Sequence, residues 1–65
     1  MTQRDQLKVI RAGFTIIRRD EHNLKIKMKN KEHSNWVTLY NGFASKAALN
    51  RKMNELLELN LMIED

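Results

Sequence analysis

A chain of 65 residues with no cysteine and no proline reads as one domain, 1–65, close to the size at which a single core is just sufficient and without disulfides, a cysteine zinc site or a thiol nucleophile to supplement packing. The polar start Thr2-Gln3-Arg4-Asp5-Gln6 and the lack of any apolar run near the ~20 residues of a membrane span lead to the expectation of a soluble, cytoplasmic protein with no membrane role. The net charge of +4 is uneven: residues 1–52 hold all 12 lysines and arginines beside only Asp5, Asp20, Glu21 and Glu32, while 53–65 hold Glu55, Glu58, Glu64 and Asp65.

The first predicted element is a helix over about residues 3–12. Thr2 is its N-cap, Leu7 and Ile10 share a face at i, i+3, and Gly13 stops it, because glycine accepts the positive φ of a helix C′ position. From Phe14 the period changes to two. Phe14-Thr15-Ile16-Ile17-Arg18-Arg19 is rich in β-branched residues, and Asp20-Glu21-His22-Asn23 is a polar turn. Leu24-Lys25-Ile26-Lys27-Met28-Lys29 then alternates strictly between apolar and basic. On a strand this puts Leu24, Ile26 and Met28 on one face and three lysines on the other. Asn30-Lys31-Glu32-His33-Ser34-Asn35 breaks the pattern before a third strand, Trp36-Val37-Thr38-Leu39-Tyr40. Asn41-Gly42 ends it, and Ser45 caps a second helix over about 45–59 whose apolar stripe is Leu49, Met53, Leu56 and Leu57. Asn60 is the expected left-handed terminator. Leu61-Met62-Ile63 then either runs back along the core or adds a short fourth strand.

The predicted class is α+β, two layers in the order α-β-β-β-α, with a three-stranded antiparallel meander and both helices on one sheet face. The predicted core is Leu7, Ile10, Phe14, Ile16, Leu24, Ile26, Met28, Val37, Leu39, Leu49, Met53, Leu56 and Leu57. Strand parity lets either Val37 and Leu39 or Trp36 and Tyr40 face the helices. Turning the aliphatic pair inward leaves Ile17, Arg19, Lys25, Lys27, Lys29, Trp36, Thr38 and Tyr40 on an open face, where aromatics interleaved with cations form a stacking surface suited to single-stranded nucleic acid. The same pattern also describes a solvated outer face on which lysine stems cover the aromatics.

Other constellations carry less. His22 and His33 fall in separate turns with no ligand spacing, so no metal or other cofactor is expected. Ser34 and Ser45 have no evident base and the carboxylates are scattered, so no enzymatic activity is expected. Gly42-Phe43-Ala44-Ser45-Lys46 leads into a helix N-terminus, where Lys46 and backbone amides can meet a phosphate, but a single glycine makes no phosphate loop and capping by Ser45 is the simpler role.

The helix, three strands, helix order, joined to Gly42-Phe43-Ala44-Ser45-Lys46-Ala47, resembles the layout of double-stranded-RNA-binding domains. That family presents lysines to phosphates from a Ser-Lys-Lys-x-Ala-Lys stretch at this place. Ser45 and Lys46 match the serine and first lysine; Ala47, Leu49 and Asn50 stand where the second lysine, the alanine and the third lysine belong, and the family's Gly-Pro-x-His loop is absent from Asp20 to Asn23. The resemblance is one of architecture rather than motif. The stretch from Trp36 through Gly42-Phe43-x-Ser45-Lys46-Ala47 to Leu56-Leu57 and Ile63-x-Asp65 is also similar to small uncharacterised bacterial and mobile-element proteins, which implies no mechanism. The expected function is a non-enzymatic module that binds nucleic acid through Arg19, Lys25, Lys27, Lys29, Trp36, Tyr40 and Lys46. The alternative is a protein-interaction or inhibitor-like module, homodimeric or docked on an acidic protein surface, with no nucleic-acid role.

Overall fold

Residues 2–65 are described by a computed structural model, in which helix α1 (Gln3–Arg11) precedes strands β1 (Thr15–Asp20), β2 (Lys25–Lys29) and β3 (Val37–Tyr40), helix α2 (Lys46–Leu57) and strand β4 (Met62–Glu64). The expected α+β class and element order hold, and the C-terminal segment does form a strand. The four strands make one mixed sheet in the order β3-β2-β1-β4, with β1–β2 and β2–β3 antiparallel and β4 parallel to β1.

Both helices start as their caps dictate. Thr2 Oγ1 accepts from the Asp5 amide at 3.2 Å, and Ser45 Oγ from the Ala48 amide at 3.2 Å. Helix α1 ends in a full Schellman motif: the Phe14 amide donates to the Val9 carbonyl and the Gly13 amide to the Ile10 carbonyl, with Gly13 at φ 100°. Helix α2 ends differently from expectation. The left-handed residue is Leu61, at φ 70°, rather than Asn60, because the chain has to reverse late enough for the Leu61 carbonyl to accept from the Thr15 amide and start β4. Leucine tolerates that conformation poorly, whereas asparagine visits it readily. Leu61 is also exposed. A Leu61→Asn change should therefore raise stability by about 0.5 to 1 kcal/mol, read as an upward shift of the thermal midpoint; a drop would mean that the side chain has packing worth keeping.

The arrangement of layers departs from the sequence reading in one respect. Ile16 and Ile17 are adjacent on β1 and both fully buried, so both faces of that strand are covered. The strand register pairs Ile17 with Met28 and Arg19 with Ile26, but Ile16 with Lys29 and Arg18 with Lys27. Ile17 and Ile26 form the main core with Leu49, Met53 and Leu56 of α2, and Leu24, Met28, Leu39, Phe43, Leu57 and Met62 pack around it. Ile16 belongs to the other face, where Gln6 and Ile10 of α1 are buried. The two helices thus lie on opposite faces. The connectivity gives the reason: β3-α2-β4 is a split β-α-β unit with β2 and β1 between its strands, so α2 crosses one whole face and leaves α1 the other. Gln6 replaces Leu7 in the buried stripe of α1, and Leu7 is 47% exposed rather than core.

On β3 a register shift between Ile26 and Lys27 lets Thr38 pair with Lys27 and Tyr40 with Ile26. Val37 and Leu39 are partly buried, and Trp36 lies on the lysine side, as the aliphatic-inward choice requires. The irregularity also carries Tyr40 to the α2 side, where the Lys52 ammonium lies 4.6 Å from its ring centre.

Candidate nucleic-acid interface

The lysine face is built from β2 outward. Lys25, Lys27 and Lys29 project from alternate positions of one strand, on the side away from α2, and are half-buried. Arg18 stands directly across from Lys27 on β1. Like charges in cross-strand register repel, and two acids relieve the strain. Asp20 Oδ2 lies 3.9 Å from Lys27 Nζ, and Arg18 Nε donates to Asp65 Oδ2 at 2.8 Å with a second bond from Nη2. Lys25 makes no ion pair among the described residues.

Trp36 is half-buried beside this ladder. The Arg18 guanidinium carbon sits 4.2 Å from its ring centre and the Lys29 ammonium 5.7 Å away, both within cation–π range. One side of the indole is thus already occupied by a planar cation. Gln6 completes the cluster: Lys29 Nζ donates to Gln6 Oε1 at 3.2 Å, and Gln6 Nε2 donates to Asp65 Oδ1 at 2.9 Å. This is why a glutamine can be buried at the α1–sheet contact, since both ends of its amide are satisfied.

The remaining expected residues lie elsewhere. Arg19 is on the α2 face, where it donates to Asn50 Oδ1 and, at 2.9 Å, to Glu64 Oε2. Tyr40 is on that face as well, and Lys46 is the exposed first residue of α2. Lys25, Lys27, Lys29 and Trp36 therefore share one surface, while Arg19 and Tyr40 are separated from it by the sheet. Ile17, expected on the open face, lies in the core with α2. Arg18 belongs to the cationic face and was missed. An even-length turn always pairs odd positions of β1 with even positions of β2, and that count alone would have identified it. Arg4, Lys8 and Arg11, all exposed at i, i+4, i+7, add a basic ridge on the outer side of α1. His22 and His33 occupy the loops at opposite ends of β2.

Loop geometry fixes both ends of the lysine strand. Asp20 Oδ1 accepts from the His22 and Asn23 amides, and Asn30 Oδ1 from those of Glu32 and His33. The Asn23 side-chain amide, donating to Asp20 Oδ2, is the main reason that the Asp20 carboxyl titrates below its ordinary value, with the Asn23 amide and Lys27 adding to it. Burial pushes the Asp65 carboxyl up, but the Arg18 and Gln6 hydrogen bonds and the Arg18 charge outweigh it, so Asp65 also titrates low. A carboxylate held below its unfolded value stabilises the fold above that value, about pH 4, and the contribution disappears as pH falls through the folded value. Urea midpoints should therefore be flat from pH 7 to about 5 and fall below about pH 4. In Asp65→Asn the fall should be shallower; an unchanged slope would mean that Asp65 contributes nothing.

No helix among the described residues is long and apolar enough to cross a membrane. No family model matches the chain, and no match was found among curated proteins or solved structures.

Proposed function

We propose that the protein is a non-enzymatic module that binds nucleic acid by its phosphate backbone through the lysine face of the sheet. The observation that carries this reading is the placement of Lys25, Lys27 and Lys29 in one row, beside Arg18 and Trp36, on the face opposite α2, next to the helix α1 that covers Ile16. A strand repeats its side chains every two residues, about 6.6 Å, so the row presents evenly spaced cations to a ligand with evenly spaced charges. The basic ridge of α1 adds to the same long-range field. Trp36 enters as the support on which Arg18 is stacked rather than as an open stacking surface, because Arg18 lies on its ring. The mode is therefore phosphate contact first, with little dependence on base sequence.

Fluorescence anisotropy with a labelled single-stranded oligonucleotide tests it. Each neutralised phosphate releases counterions, so log affinity should fall linearly with log salt, with a slope of about −2 for three contacts to a single strand. Random-sequence and homopolymer strands should bind within a few-fold of one another. No binding at low salt, or binding indifferent to salt, would reject the reading and favour a protein partner.

A further inference from the structure

We infer that Arg18 and Gln6, beside Trp36, form a built phosphate site whose internal occupant in the free protein is the Asp65 carboxylate. The inference deepens the reading above, on which it rests for the identity of its ligand, a backbone phosphate.

Three donors converge on that one carboxylate. Arg18 contributes Nε, at 2.8 Å, and Nη2, and Gln6 contributes Nε2 at 2.9 Å to the other oxygen. A guanidinium fork with an additional N–H is a geometry that accepts two oxygens of a phosphate as readily as two of a carboxylate. The amide's orientation is set from behind: Lys29 Nζ can only donate, so it holds Gln6 Oε1 and turns Nε2 toward the anion. Arg18 is further fixed by stacking on Trp36. The site is thus preorganised on a strand and a helix, and it continues directly into Lys27 and Lys25, which extend the positive row beyond it. An isolated carboxylate does not require that continuation; a polyanion does.

The occupant can leave without unfolding β4. Asp65 is held to the sheet by its backbone amide, which donates to the Ile17 carbonyl at 2.9 Å, independently of its side chain. Rotation of the side chain about χ1 would uncover the Arg18 fork while the strand pairing persists. An incoming phosphate then replaces one anion by another, so the buried amide of Gln6 and the exposed fork of Arg18 both keep a partner.

Two titrations followed by NMR test this, one with inorganic phosphate and one with a single-stranded oligonucleotide, each against the native protein and Asp65→Asn. In the native protein both ligands should shift the Arg18 Nε–H and Trp36 indole N–H signals. Asp65→Asn should tighten oligonucleotide binding about tenfold, which is roughly 1.4 kcal/mol. Adding Arg18→Lys to Asp65→Asn keeps the net charge but removes the fork, so it should abolish that gain; a gain that survives reflects net charge alone and overturns the site. Equal tightening for an oligoglutamate peptide of the same charge overturns the phosphate assignment. Should Asp65→Asn fail to fold, the native titration still decides, because an Arg18 signal unmoved by bound oligonucleotide overturns the site while leaving nucleic-acid binding intact. A shift with inorganic phosphate but no oligonucleotide binding supports the site and rejects the nucleic-acid reading; no response to either ligand rejects both.

Discussion

Truncating Met53 to alanine should lower the stability of the domain by about 2 to 5 kcal/mol, the range for removing a fully buried methionine side chain. Met53 is completely buried at the middle of α2 and packs with Ile17, Ile26, Leu49 and Leu56, so its loss opens a void under the whole crossing helix. A domain of this length has only roughly 3 to 10 kcal/mol in total. The variant should therefore be partly unfolded at 37 °C and show a much lower urea midpoint. Met53→Leu, which keeps the volume, should cost less than about 1.5 kcal/mol. A loss below about 0.5 kcal/mol for the alanine variant would place Met53 at a surface rather than in the core.

The second large effect is on binding. Reversing the ladder with Lys25→Glu, Lys27→Glu and Lys29→Glu together should weaken oligonucleotide binding by at least roughly a hundredfold at low salt, since each charged contact contributes on the order of 1 kcal/mol and repulsion adds to its loss. Lys27→Gln alone should reduce the salt slope by about 0.7 without changing preference among strands. The ladder lies outside the α2 core, so the melting transition should remain cooperative. Lys46→Glu, at the start of α2, is the control matched in charge to Lys27→Glu alone and should have a much smaller effect than that single reversal. If the ladder variants bind as the native protein does, the lysines are a solvated face and the alternative of a protein-interaction module gains.

The elements were legible because their signals are local. Ser45 and Thr2 cap as their side chains dictate, Gly13 supplies the positive φ, and the alternation from Leu24 to Lys29 assigned β2 correctly, save that Leu24 itself sits in the turn at φ 50°. The C-terminal strand was one of two stated options, and the parallel pairing with β1 that decides it is a long-range contact. The positions of the helices were not legible. Phe14 and Ile16 looked like the inward pair of β1, yet the register gives that role to Ile17, and Ile16 is buried under α1 instead. A stripe on each helix was read as one shared core, whereas the sheet has two covered faces, one of them sealed partly by a glutamine. Gln6 could not be recognised as a buried residue because its partners, Lys29 and Asp65, lie 23 and 59 residues away in sequence. The lysine face was legible for the same reason as β2 was. Arg18 and Asp65, which give that face its two-donor ion pair, emerge only from tertiary pairing, and Tyr40 was lost to the face by an irregularity that no local pattern marks.

Whether the cationic row is a binding surface is decided by mapping contacts on the native protein. A two-dimensional NMR titration with a short single-stranded oligonucleotide at low salt should shift the signals of Lys25, Lys27, Lys29, Arg18 and Trp36 together, reverse on adding salt, and leave Leu49, Met53 and Tyr40 on the α2 side unmoved. Shifts centred on α2 and Tyr40, or no shifts at concentrations that saturate other basic domains, would contradict the assignment of this face to nucleic acid.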